Sequence, residues 1–233
     1  MTVAASPPSI LRALDEPTRL LVRLSALVAA GTEADIRRGL AAASDTVPQL
    51  WVEELLLQSY LFAGFPRTLN AMREWRRSHP RAATPGPADQ GAAAGVDATG
   101  VEPGATTDPV AGTLAQWRRA GEHTCAVVYG KSYERLRENI RHLHVELDDW
   151  MITDGYGKVL SRPGLDLVRR ELCIVAACAA AGQERQLHSH LRGALNAGAS
   201  ADAIGECLDA LQDVITAPQS ESAHMLWARV RGK

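Results

Sequence analysis

Apolar positions recur every three or four residues through most of the chain, a spacing typical of amphipathic α-helices. One such helix is predicted from about Asp166 to Ala181, just before Gly182. The next is predicted from about Glu184 to Asn196 and is followed by Gly198. Glycine often follows a helix C-terminus because it adopts a left-handed backbone without strain. No segment alternates as a strand ladder would, so the sequence predicts an all-α fold.

Further helices are predicted on both sides of these two. Ser200 is a good N-cap residue and begins a third helix. Residues 50–64, LWVEELLLQSYLFAG, are largely apolar and are predicted to form one buried helix. Residues 132–152 carry a helical stripe of Leu136, Ile140, Leu143 and Leu147, and are predicted to form one connecting helix.

The chain is predicted to contain two tandem copies of one helical unit. Residues 80–112 are rich in Pro, Gly, Ala and Thr without periodic apolar positions, which indicates a flexible linker between residues 1–79 and 113–233. The two parts match at a nearly constant offset, with a shift of one residue between the first and last of these pairs: Asp15 with Asp166, Gly31 with Gly182, Glu54 with Glu206, Pro66 with Pro218, and Trp75 with Trp227. Matching prolines and tryptophans favour a duplication over chance. Each copy is interpreted as three helices.

Composition narrows the function classes. The 233 residues carry a formal net charge of −2, which gives no electrostatic basis for binding nucleic acid or an anionic membrane. The N-terminus lacks a signal-peptide pattern, and the longest apolar run, Leu172 to Ala181, is too short to span a bilayer. The four cysteines have neither disulfide nor zinc spacing. We therefore expect a cytoplasmic protein with reduced thiols, no metal and no cofactor.

His190 and Glu171 are the strongest candidates for chemistry. His190 lies beside apolar positions on its predicted helix, and Glu171 lies on the preceding helix. Gly182 is about midway between them, so an antiparallel hairpin would bring the two side chains together. A carboxylate can orient an imidazole for acid–base catalysis. The same pair could equally be a buried hydrogen bond that only satisfies two polar groups.

Three segments resemble the carboxymuconolactone decarboxylase and alkyl hydroperoxidase D family: LDLVRREL, AAAGQERQLHSHLRGALNAGAS, and Glu206-Cys-Leu. The resemblance implies a glutamate–histidine pair at Glu171 and His190. The Cys-x-x-Cys pair of the hydroperoxidases falls on Gln183 and Gln186, so dithiol peroxidase activity is not expected. In the first copy, leucine and glycine, Leu20 and Gly39, stand at the positions of the pair. Only the second copy is therefore expected to carry a site.

The resemblance implies a cofactor-free lyase that decarboxylates a small carboxylated lactone or related acid, as in the catabolism of aromatic compounds. Expected substrate-binding residues are Arg192, Arg162, Arg170 and Tyr156. Two alternatives remain open: an alkyl hydroperoxidase-like antioxidant oxidoreductase, and a non-catalytic oligomeric scaffold or binding protein. Single-copy relatives form rings of six subunits, so a chain with two copies is expected to form a homotrimer.

Overall fold

The computed structural model describes residues 11–80 and 113–232, and these residues are helical apart from loops and one isolated bridge between Leu11 and Ala199. The predicted all-α fold is confirmed. The α-helices are α1 (Glu16–Ala30), α2 (Glu33–Ala43), α3 (Gln49–Gln58), α4 (Tyr60–Ser78), α5 (Leu114–Tyr129), α6 (Tyr133–Leu143), α7 (Val145–Trp150), α8 (Leu167–Ala180), α9 (Glu184–Ala197), α10 (Ala201–Asp209) and α11 (Ala217–Arg231). A 3-10 turn covers Gly130–Ser132, and a π-helix covers Met151–Leu160.

Helices α1 and α8 pack against each other at the centre of the fold. Each begins at an aspartate N-cap, Asp15 or Asp166, whose side chain accepts a hydrogen bond from the first turn of the helix. Helix α8 is buried over almost its whole length, which explains its continuous apolar sequence. Helix α2 packs on α1, and α9 packs on α8. Each of the two central helices therefore forms a hairpin with the helix that follows it in the chain.

Within the described residues each copy has four α-helices, α1–α4 and α8–α11, rather than the predicted three. The apolar stretch 50–64 does not form one helix, because the chain breaks between α3 and α4 and again at Gly64, where φ is 76°. Pro66 then starts the remainder of α4, as Pro218 starts α11. Helix starts in the two halves follow the offset seen in the sequence. Common origin of the halves stays a prediction, and residues 81–112 of the predicted linker lie outside the described residues.

The segment between the halves is also more broken than predicted. His144 has an extended backbone (φ −168°, ψ 131°) that separates α6 from α7. The expected apolar stripe does not form a buried face, since Leu143 is 77% exposed. Instead Arg137 and Asp148 form a buried ion pair across the break. The π-helix that follows packs backbone to backbone on α5, where Gly121 and Gly157 leave no room for a Cβ atom.

Candidate active site

Glu171 and His190 meet inside the second half of the molecule. The turn at Gly182 places α8 and α9 side by side, and His190 Nδ1 lies 2.8 Å from Glu171 Oε2. Both side chains are buried. Glu171 Oε1 has no hydrogen-bond partner within residues 11–80 and 113–232. A carboxylate at Nδ1 fixes the imidazole tautomer and leaves Nε2 as the nitrogen available for proton transfer.

Gly193 permits this close approach. It lies three residues after His190 on α9, at the point where the Glu171 carboxylate rests against the helix. A Cβ atom there would overlap Glu171 Oε2 and lie 2.8 Å from Val128 Cγ1. The missing side chain is therefore a steric requirement of the Glu171–His190 pair.

His190 lines a cavity of about 650 Å³. Its walls come from α4, from residues 113–160, which we call the inter-half segment, and from α9. Six aromatic side chains line it: Tyr60, Phe62, Phe65, Tyr129, Trp150 and Tyr156. The size falls within the range of small-molecule sites, and such sites are mostly apolar with few polar groups. The first half thus supplies one wall of the cavity, while the polar pair comes from the second half.

Aromatic rings surround the imidazole. The rings of Phe62 and Tyr129 meet it edge-on, with centroids 5.9 Å and 6.5 Å from that of His190. The ring of Tyr129 also meets that of Tyr156 edge-on, with centroids 6.3 Å apart, so the two tyrosines form a pair. Burial raises the pKa of both tyrosines, and the negative charge of nearby Glu171 raises it further. Both hydroxyls therefore stay protonated at neutral pH. A protonated phenol can donate a hydrogen bond.

The cavity offers little positive charge. Among the described residues that line it, Lys158 is the one Lys or Arg side chain, and its Nζ lies 2.5 Å from Asp154 Oδ1. The same ammonium lies 4.4 Å from the ring centroid of Trp117. The charge of Lys158 is thus already balanced at the cavity edge.

The predicted arginines lie elsewhere. Arg170 is fully buried, and its guanidinium donates to Glu54 at 2.7 Å. Arg162 binds the same carboxylate at 3.0 Å. Burial acts to raise the pKa of Glu54, but the hydrogen bonds and charges of the two arginines outweigh it, and the net pKa is lowered. This buried network joins the two halves.

The structure does not bring these arginines to His190. Arg192 lies on α9, but it is not among the residues that line the cavity, and neither are Arg162 and Arg170. Of the four predicted substrate-binding residues, Tyr156 lines the cavity. Sequence reasoning missed the contributions of Phe62 and Tyr129, because these residues come from other helices and carry no motif. Gly193 had a local signal, a glycine within an otherwise regular helix.

The four cysteines, Cys125, Cys173, Cys178 and Cys207, are all buried and free. Burial raises the pKa of Cys178 to about 12 and that of Cys207 to about 12. A thiolate is the reactive form of cysteine, so burial disfavours the reactive form of these thiols. Gln186 lines the cavity at one of the positions where the hydroperoxidases have a thiol.

Within the described ranges no cluster of three or more His, Cys, Asp or Glu side chains could hold a metal ion. In the same ranges, none of the helices is both long enough and apolar enough to cross a membrane.

Comparison with known proteins shows which family the second half resembles. Residues 149–228, which contain both Glu171 and His190, match the Carboxymuconolactone decarboxylase family. A 4-carboxymuconolactone decarboxylase from Acinetobacter baylyi is 29% identical over 93 residues, which cover 40% of this chain and 69% of that protein. In this segment, therefore, the chain is similar to carboxymuconolactone decarboxylases.

Another relative extends well beyond that segment. Peroxisomal protein 2 of Schizosaccharomyces pombe is 28% identical over 194 residues, which cover 81% of this chain and 82% of that protein. The similarity therefore takes in much of the chain outside residues 149–228.

Proposed function

We propose that the protein is a cofactor-free lyase of the carboxymuconolactone decarboxylase type, in which His190 transfers a proton and Glu171 orients it. The observation that carries this proposal is the 2.8 Å contact between the two buried side chains at the wall of the cavity. A buried pair that served packing alone would have no need of an adjoining cavity of substrate size. The family match over residues 149–228 supports the reaction type.

Decarboxylation needs a proton at one defined position. The bond between the substrate carbon and its carboxylate breaks, CO2 leaves, and the electron pair stays on carbon, where a neighbouring carbonyl delocalises it. Protonated His190 donates its Nε2 proton to that carbon, and the neutral imidazole then takes a proton from water. Glu171 holds Nδ1 and stabilises the imidazolium by its negative charge.

The tyrosine pair fits the charge that develops in this step. When the electron pair delocalises, negative charge appears on the substrate carbonyl oxygen. A hydroxyl proton of the Tyr129–Tyr156 pair, close to His190, can be donated to that oxygen. Preorganised donors of this kind stabilise an oxyanion best in a site that excludes water.

A non-catalytic binding protein is the second candidate. The six aromatic rings of the cavity favour it, since they would hold an apolar ligand without any reaction. Dithiol peroxidase chemistry is less well supported, because the cysteines are buried and their pKa values are raised.

We also propose a cytoplasmic homotrimer. Exposed apolar side chains such as Phe65 and Leu69 support association, and a stable monomer in light scattering at micromolar concentration would contradict it.

The proposal is tested by CO2 release from 3-oxo-3-phenylpropanoate. His190→Gln and Glu171→Gln should each lower the rate by about 10²–10⁴-fold, the usual contribution of general acid–base catalysis. Arg38→Gln is the matched control, because Arg38 is largely exposed and remote from His190. Wild-type rates in a folded His190→Gln variant would favour the binding protein over the enzyme.

A further inference from the structure

The charge balance of the cavity carries an inference about the ligand. A polycarboxylate needs several unpaired cations, because each carboxylate loses its hydration on entering an enclosed site. The described residues that line the cavity provide no such cluster. Arg162 and Arg170 are bound to Glu54, and Lys158 is bound to Asp154.

The wall chemistry is apolar instead. Phe62 and Tyr129 meet the imidazole directly, while Phe65 and Trp150 line the cavity and remain more than half exposed. Aromatic side chains bind flat apolar groups by burial and by ring packing. The polar groups of the site, His190 and the tyrosine pair, are few and lie together.

We propose that the cavity takes an acid with a single carboxylate and an apolar body, such as an aromatic ring or a short hydrocarbon chain, rather than a polycarboxylate. This rests on the proposed function for its reaction, but the choice of ligand stands on the cavity walls. The carboxylate lies beside His190, and the apolar body extends along the rings of α4 and α7. A carboxylate placed among apolar groups is destabilised, and loss of CO2 with dispersal of the charge relieves this.

Gly155 supplies a direct test. It lines the cavity on the π-helix, and a Cβ atom built on it meets nothing within 4 Å. A leucine at this position would therefore extend into the cavity without displacing a neighbouring atom at its base. Gly155→Leu should close the space that the apolar body needs.

The experiment is calorimetric titration of the full chain with two unreactive probes, 3-phenylpropanoate and propane-1,2,3-tricarboxylate. 3-Phenylpropanoate should bind at least about tenfold more tightly than propane-1,2,3-tricarboxylate. A tenfold difference in affinity corresponds to about 1.4 kcal/mol, and burial of one ring contributes more than that. Gly155→Leu should abolish binding of 3-phenylpropanoate, and Phe62→Ala should weaken it about tenfold. Arg38→Gln should keep it, because Arg38 is largely exposed and does not line the cavity.

Equal or tighter binding of the tricarboxylate would overturn the inference. So would unchanged binding of 3-phenylpropanoate by folded Gly155→Leu and Phe62→Ala variants, or no binding of that probe by the wild type. If 3-phenylpropanoate binds as expected while no acid releases CO2, the proposed reaction fails and the ligand class stands.

Discussion

Two clefts of similar volume, about 650 Å³ and about 630 Å³, lie at matching positions in the two halves of the chain. The second-half cleft is the cavity that contains His190. In the first-half cleft, Leu20 stands at the position of Glu171, Gly39 at that of His190, and Ala42 at that of Gly193. The shared helical hairpin therefore creates a cleft in both halves, but the hairpin alone does not make a site.

The walls of the two clefts differ as much as their polar groups. Aromatic rings line the second-half cleft, and several of them come from residues 113–160. The first-half cleft is lined by α1, α2 and residues 213–219 together with Ala180, and its lining includes no aromatic residue. Its charges are paired across it, as in Arg23 Nη2 with Asp213 Oδ2 at 2.7 Å. The aromatic residues of the inter-half segment therefore distinguish the second-half cleft from the first.

The matched glutamates Glu54 and Glu206 give the largest expected difference in stability. Glu54 balances the buried charge of Arg170, whereas Glu206 accepts one hydrogen bond, from the Leu14 N–H at 2.7 Å. Glu54→Gln should lower the free energy of unfolding by about 3–5 kcal/mol, the cost of leaving a buried charge unpaired. Glu206→Gln should cost about 1 kcal/mol, since an amide oxygen still accepts that bond. Urea titration of both variants measures the contrast, and equal losses would contradict it.

Lowering the pH should reduce the difference in unfolding free energy between the wild type and Glu54→Gln. The folded pKa of Glu54 is lowered from its ordinary value of 4.5, so its contribution is fully present above pH 4.5. The contribution is lost as the pH falls through the lowered pKa, because the protonated carboxyl resembles the amide. Unfolding free energies at pH 7 and pH 3 test this. A gap that stays constant or widens at pH 3 would exclude the ion pair as its cause.

Gly193 and Ala42 give a smaller contrast. Gly193→Ala overlaps Glu171 Oε2 and should cost about 1–3 kcal/mol, the usual cost of overpacking. It should also reduce CO2 release by displacing Glu171. Ala42→Gly creates no such overlap and should lower the free energy of unfolding by about 0.5–1 kcal/mol through helix propensity alone. Thermal unfolding and rates are measured together. Full activity in Gly193→Ala would contradict the steric requirement for glycine at this position.

The cysteines should give the smallest effect. All four are buried with raised pKa values, so a water-soluble disulfide reagent should label none in the native protein at pH 8 and all four in denaturant. Hydroperoxide consumption with a dithiol reductant should not change when the cysteines are replaced. Rapid labelling of a native thiol would place a reactive cysteine at the surface.

The sequence predicted what depends on local pattern. The α8–α9 hairpin, its turn at Gly182 and the meeting of Glu171 with His190 follow from helix periodicity and from spacing about one glycine. The arginines were misplaced because an arginine on a helix is equally suited to a substrate and to a buried glutamate. Glu54, which decides between them, lies more than one hundred residues earlier in the chain. The aromatic wall was missed for the same reason.

The central claim is that chemistry occurs in one of two matching clefts, and blocking each in turn tests it. Gly155→Leu fills the second-half cleft, and Ala42→Leu fills the first. The measurement is the rate of CO2 release from 3-oxo-3-phenylpropanoate by both variants and the wild type. The rates are compared once thermal unfolding has shown that the three proteins are equally stable. We predict that Gly155→Leu loses the activity and Ala42→Leu retains it. Activity that survives Gly155→Leu, or that disappears in Ala42→Leu, would contradict the account.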